Sequence, residues 1–273
     1  RHKMRKISFL IAALAVFLFS GCASTTKGGA IGADRSQFMI VSEQTMDENA
    51  KLVYQQTINK AKSVHALNTN PSQTKQVREI SKNLIKQVGF FREDAINWDW
   101  QINVIKSDEV NAWCMPGGKI AVFTGLLNTI KPTNAELAAV IGHEIAHALR
   151  EHSRERASTE STKNLGISVL AAAVGLDDTA TGLVNMASKY TFSLPFSRKH
   201  ESEADIIGLE LMAHAGYDPN AALNLWKKMS KLNVGKKPAE FFSTHPSDEN
   251  RIESLQKMLP KVMPIYEASK KQK

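Results

Sequence analysis

Cysteine is scarce in this chain, with only Cys22 and Cys114 among 273 residues. At most one disulfide could form, and Cys22 falls where an export leader ends, so stability has to come from packing or from a metal. A long membrane-spanning run is also missing: the apolar stretch from Ile7 to Phe19 falls short of the roughly 20 residues a helical span needs. The body carries little excess charge of either sign. The formal charge is +8, but Arg1, Lys3, Arg5 and Lys6 at the start and Lys270, Lys271 and Lys273 at the end account for seven of it. The remaining +1 excludes nucleic acid as a partner. What is present is 42% hydrophobic residues over a length that can bury a substantial core.

The basic start, the apolar run and the small residues before Cys22 read as an export signal over residues 1–21. Residues Leu18 to Cys22, LFSGC, resemble the bacterial lipobox, which implies a lipid anchor on Cys22. With Ala23 next, that pattern implies the periplasmic face of the outer membrane, the membrane being reached through the anchor. Residues 22–42, rich in Ser, Thr, Gly and Ala, suit a lipidated tether. A folded domain over 43–260 and a basic, solvated tail over 261–273 complete the expected organisation.

Within the domain, helical spacing of apolar residues predicts helices over 43–66 and 72–89. Alternation of Trp98, Trp100, Ile102 and Val104 predicts a strand, and KIAVFTGLL after the turn at Pro116–Gly118 a second. Thr133 with Glu136 forms a capping-box pattern that starts a helix running to about Glu155. The interrupted apolar segment between Asn164 and Tyr190 reads as a packed or groove-covering helix. Further helices are expected over 199–215, 219–232 and from Pro246 or Ser247 to Met258. The fold class is a helix-rich α+β domain with a small sheet.

The chemistry sits in VIGHEIAHALREH, residues 140–152. Positions four apart on a helix lie about 40° apart around its axis, so His143 and His147 can present both imidazoles to one metal ion. Glu144 reaches the same side without having to bind the metal, the placement of a general base for the attacking water. A catalytic zinc takes three protein ligands and keeps one position open. In FSRKHESEAD, residues 196–205, Glu201 can be the third ligand, and Asp205 one turn on can hold the other ring nitrogen of a ligating histidine. His200 and Glu203 lie about 100° and 160° from the Glu201 face, and His152 about 140° from the His147 face, so one zinc cannot use all of them. His152 reads as a supporting histidine.

These residues resemble the zinc peptidase family containing HtpX, the CAAX prenyl proteases and the BepA-type periplasmic lipoprotein proteases, a fold called a minimal gluzincin. The resemblance is carried by GHEIAH at 142–147, FSRKHESEAD at 196–205, NAWCMPGGKIAVFTGLL at 111–127 and STHPSDENR at 243–251. It implies one zinc ion per chain held by His143, His147 and Glu201, with Glu144 as base and Asp205 behind the metal. It implies that Asn111, Ala112, Trp113, Cys114, Met115 and Pro116 form an edge strand pairing with substrate backbone. It also implies that His245 can occupy the open metal position at rest and that Arg251 helps stabilise the oxyanion. Cys114 itself reads as a small buried residue. The function implied is a zinc metalloendopeptidase degrading misfolded or misassembled envelope proteins. The alternative is a latent chaperone or scaffold lipoprotein for outer-membrane assembly.

Overall fold

A computed structural model of the chain describes residues 22–173, 194–232, 239–246 and 250–271. The expected leader over 1–21 lies outside them, as does the apolar segment from 174 to its end at 190.

The architecture is the expected α+β domain. Helices α1 (Glu43–Ser63) and α2 (Pro71–Ile85) lead into β3 (Gln101–Ile105), β4 (Ala112–Met115) and β5 (Lys119–Phe123). They follow a two-residue pair, β1 (Cys22–Ala23) with β2 (Gln37–Phe38). Then come α3 (Thr124–Ile130), α4 (Asn134–Leu149), α5 (His152–Ala173), α6 (Arg198–His214), α7 (Asn220–Leu232), α8 (Phe241–Thr244) and α9 (Arg251–Lys270). The larger sheet has the order β3-β5-β4, with β5 parallel to β3 and antiparallel to β4. All five residues of the central strand β5 are buried, while β4 presents its outer edge beside α4.

Local chemistry explains where α4 starts. Thr133 accepts from the Glu136 backbone N–H at 3.2 Å, and the Glu136 carboxylate accepts from the Thr133 N–H at 2.8 Å. This is the capping box read from the sequence. The helix is buried from Glu136 to Leu149, its polar His143, Glu144 and His147 included, and packs mainly on α6. That crossing is set by two glycines. A Cβ added to Gly208 would lie 2.8 Å from the His143 nitrogen, and one added to Gly142 would lie 3.2 Å from the Gly208 oxygen. We expect Gly208→Ala to force the helices apart at a cost of about 1–3 kcal/mol. A denaturation midpoint equal to wild type would sink that expectation.

Four sequence expectations change. Thr124 to Leu127 continue as helix α3, not as strand, because the chain turns where Gly125 meets the 108–109 backbone. The helix expected to reach Glu155 breaks after Leu149; Glu151 adopts φ 49°, and α5 starts afresh at His152. Residues 22–42 are not a free tether: Ile31 and Ala33 join the core, and Thr26 and Gln37 are buried. The last helix begins at Arg251 and runs through Pro260 and Pro264 to Lys270, with Val262 fully buried, so no domain boundary falls at 260.

Candidate metal centre

Three elements bring four side chains to one point. His143 and His147 come from α4, Glu201 from the first turn of α6, and His245 from the end of α8. All four are buried, and one nitrogen or oxygen from each lies within 4.8 Å of the others. The Nε2 atoms of His143 and His147 are 3.1 Å apart. Glu201 Oε2 is 3.4 Å from His143 Nε2, and Glu201 Oε1 is 3.3 Å from His147 Nε2. His245 Nδ1 is 3.1 Å from Glu201 Oε1 and 3.4 Å from His143 Nε2.

The donor set fits zinc. Bonds of 2.0–2.1 Å in a tetrahedron place neighbouring donors about 3.3 Å apart, close to the 3.1–3.4 Å of the contacts above, with all four donors within 4.8 Å of one another. Three imidazole nitrogens and a carboxylate oxygen are the chemistry zinc takes. His143 Nδ1 is 2.9 Å from Asp205 Oδ1, which puts the ring proton there and leaves Nε2 as a lone pair aimed into the cluster. Asp205 therefore stands where the sequence expects it.

Burial and neighbours divide the titrations. Burial alone would raise Glu201, but His245, His143 and His147 hold it well below the usual carboxylate range. Burial holds His147 well below its ordinary value. Burial also works against protonation of His143, and the Asp205 and Glu201 carboxylates outweigh it and raise that imidazole. Glu144 is not among the clustered donors. Burial pushes its carboxyl up to about 7, and its Oε1 has no hydrogen-bond partner among the described residues, though His245 Nε2 is 3.5 Å away.

Glu144, His147 and His245 open onto a cleft of about 270 Å³, whose wall includes Asn111 and the whole of β4 from Ala112 to Met115. Pro116 lies outside that wall, at the turn that follows β4. Glu144 and β4 line the same cleft, so the outer edge of that strand and the candidate base share one surface. The Cys114 side chain is buried, and burial pushes its thiol up, as suits a small packed residue.

Arg251 packs behind the cluster. Its Nε and Nη2 reach the two Asp205 oxygens at 2.6 and 2.8 Å, and Nη2 is 3.1 Å from Glu201 Oε2. Its guanidinium lies 3.5 Å over the Trp226 ring, away from the cleft wall. This geometry has Arg251 steady two carboxylates, while its Nη1 has no hydrogen-bond partner among the described residues.

Behind the cluster lies a polar layer that sequence reading placed off the metal face without joining it up. His200 meets Glu155 at 3.2 Å, Glu203 meets His152 at 2.9 Å, and Arg35 bridges Glu155 and Glu203. The turn at Glu151 aims His152 back at His147. No residue type there announces it.

A model of peptidase family M48 matches residues 71–259. The mitochondrial metalloendopeptidase OMA1 of Arabidopsis thaliana is 46% identical over 156 residues, covering 57% of this chain and 31% of its own length. Its counterpart in Schizosaccharomyces pombe is 41% identical over 172 residues, covering 62% and 50%. The beta-barrel assembly-enhancing protease of Escherichia coli K12 is 23% identical over 205 residues, covering 72% and 41%. The chain thus spans a third to a half of the length of these relatives. Within the family, identity is higher to the mitochondrial proteins than to the bacterial protease of the branch expected from the sequence.

Proposed function

We propose, since the chain belongs to peptidase family M48, that it is a zinc metalloendopeptidase whose ligands are His143, His147 and Glu201. The observation that carries this is the cluster itself: buried nitrogen and oxygen donors within 4.8 Å of one another, with an ionisable carboxyl in the cleft that β4 lines. When bound, zinc supplies a Lewis acid that polarises the scissile carbonyl and acidifies water. The rest is the work of this chain. The edge of β4 aligns an extended peptide by strand addition, with Asn111 and Pro116 at its ends. Glu144 takes a proton from the attacking water and returns it to the leaving amine. Asp205 and Arg251 hold His143 and Glu201 in place.

His245 offers a fourth donor where a catalytic zinc would keep a position open, and we read this as a resting state. His245→Ala is expected to raise hydrolysis of an unfolded polypeptide by about tenfold, by removing the cost of displacing the side chain. A fall in rate would instead make His245 part of the reaction, as an oxyanion donor in the cleft.

The substrates proposed are unfolded or misassembled envelope polypeptides, met at the periplasmic face of the outer membrane through a lipid on Cys22. Support comes from the leader and LFSGC in the sequence and from the name of the Escherichia coli relative. No described helix is long and apolar enough to cross a membrane. A second reading, a latent chaperone or scaffold, is favoured by His245 standing at the fourth position. The test is zinc-loaded full chain incubated with an unfolded outer-membrane protein, the products read by mass spectrometry. Internal cleavage lost on chelation and regained with zinc supports the peptidase, and an intact substrate supports the scaffold.

A further inference from the structure

Each metal-facing histidine of α4 has a second ring nitrogen, and the two are held in different ways. Nδ1 of His143 meets Asp205 directly, and both Asp205 oxygens are gripped by the Nε–Nη2 edge of the Arg251 guanidinium. Nδ1 of His147 meets no carboxylate among the described residues. It lies 2.9 Å from Nδ1 of His152, whose Nε2 lies 2.9 Å from Glu203 Oε2. Glu203 is in turn gripped by Arg35, Nε to Oε1 at 2.6 Å and Nη2 to Oε2 at 2.9 Å.

Only one placement of protons satisfies this chain of atoms. If His147 offers its Nε2 lone pair to a metal, its proton sits on Nδ1 and is donated to His152 Nδ1. His152 then carries its own proton on Nε2 and donates it to the Glu203 carboxylate. The reverse placement would set a His152 lone pair against a carboxylate and turn the His147 proton into the metal cluster. His152 is fully buried, so water cannot take over either contact.

Resting on the zinc reading above, we infer that His152 is a positioning residue for the metal: with Glu203 and Arg35 it forms a relay that fixes the tautomer and orientation of His147. Arg35 belongs to the packed segment over 22–42, where Gln37 Nε2 also donates to the Arg150 carbonyl at 2.7 Å. Docking of that segment is therefore part of the metal site's support. The relay does not come from the spacing of HEIAHALREH, because on a straight helix His152 would point elsewhere; the turn at Glu151 creates it.

The test is zinc affinity of the folded full chain, measured by competition with a chromophoric chelator, together with the visible bands of the cobalt-substituted protein. His152→Phe fills the volume but removes both ring nitrogens. It is expected to weaken zinc binding about 10- to 100-fold and to shift the cobalt bands. His152→Gln keeps one acceptor and one donor and should recover most of that loss. Glu203→Gln and Arg35→Met should each weaken binding less than His152→Phe, with the cluster's own ligands intact. A purely structural role would lower the unfolding midpoint with zinc affinity and cobalt bands unchanged, and that result overturns the inference. Should His152→Phe not fold, zinc affinity within about twofold of wild type in both Glu203→Gln and Arg35→Met overturns it equally. A wild-type chain that binds no zinc overturns the peptidase reading and the relay together, whereas tight wild-type binding with unaffected variants overturns the relay alone.

Discussion

Glu144→Gln is expected to lower kcat/KM for peptide hydrolysis by about 10³-fold or more, while zinc content stays at the wild-type level. The reason is position. Glu144 is one residue from His143, shares the cleft with β4, and has an oxygen with no hydrogen-bond partner among the described residues. Gln keeps the shape and removes the basicity. Burial sets the carboxyl at about 7 against an ordinary 4.5, helped by Glu201 and opposed by His245 and Arg251. A nearby divalent cation favours the carboxylate, so in the zinc-loaded protein the acid limb of kcat/KM should lie below about 7. A raised folded value means that this group's contribution to stability is complete below the unfolded value and is lost as pH rises through the folded one. Metal-free wild type should therefore lose stability between about pH 4.5 and 7 from this group, and metal-free Glu144→Gln should not. Residual activity above a tenth of wild type would remove Glu144 from its role.

Glu201→Gln is expected to cost the protein its metal and a large part of its stability. This carboxylate touches His143, His147, His245 and Arg251, all of them buried. Removing an outer partner of a ligand costs about 10- to 100-fold in affinity, and removing the ligand itself should exceed that. Breaking a buried ion pair costs about 3–5 kcal/mol, here reduced because Asp205 still faces Arg251. The histidines around Glu201 depress its pKa, so its contribution is present above the unfolded carboxylate value and is lost as pH falls through the folded one. Acid should destabilise metal-free wild type more than metal-free Glu201→Gln. Metal analysis and denaturant titrations at two pH values check both parts. Full zinc occupancy in the variant would refute the ligand assignment.

The features legible in the sequence are those set by near neighbours along the chain. The capping box at Thr133 and Glu136, the period of two in β3, and the shared face of His143 and His147 each need only a few consecutive residues and standard backbone geometry. Glu201 and Asp205 were readable for the same reason, once a second helix was known to be needed. Thr124 to Leu127 misled because they extend the apolar run of β5 with no local mark for where the strand stops. Contact between Gly125 and the 108–109 backbone decides it.

By itself, then, the sequence determined the chemistry of the site: which side chains can ligate, which can act as base, and which helix faces carry them. Tertiary structure alone decided how those groups are held. The left-handed turn at Glu151, the docking of Arg35 onto Glu155 and Glu203, the turning of Arg251 onto Asp205 and Glu201, and the placement of His245 beside His143 join residues up to 168 positions apart. Local spacing carries no information about such pairs. The close crossing of α4 and α6 at Gly142 and Gly208 brings buried polar groups together, and buried charges must find partners.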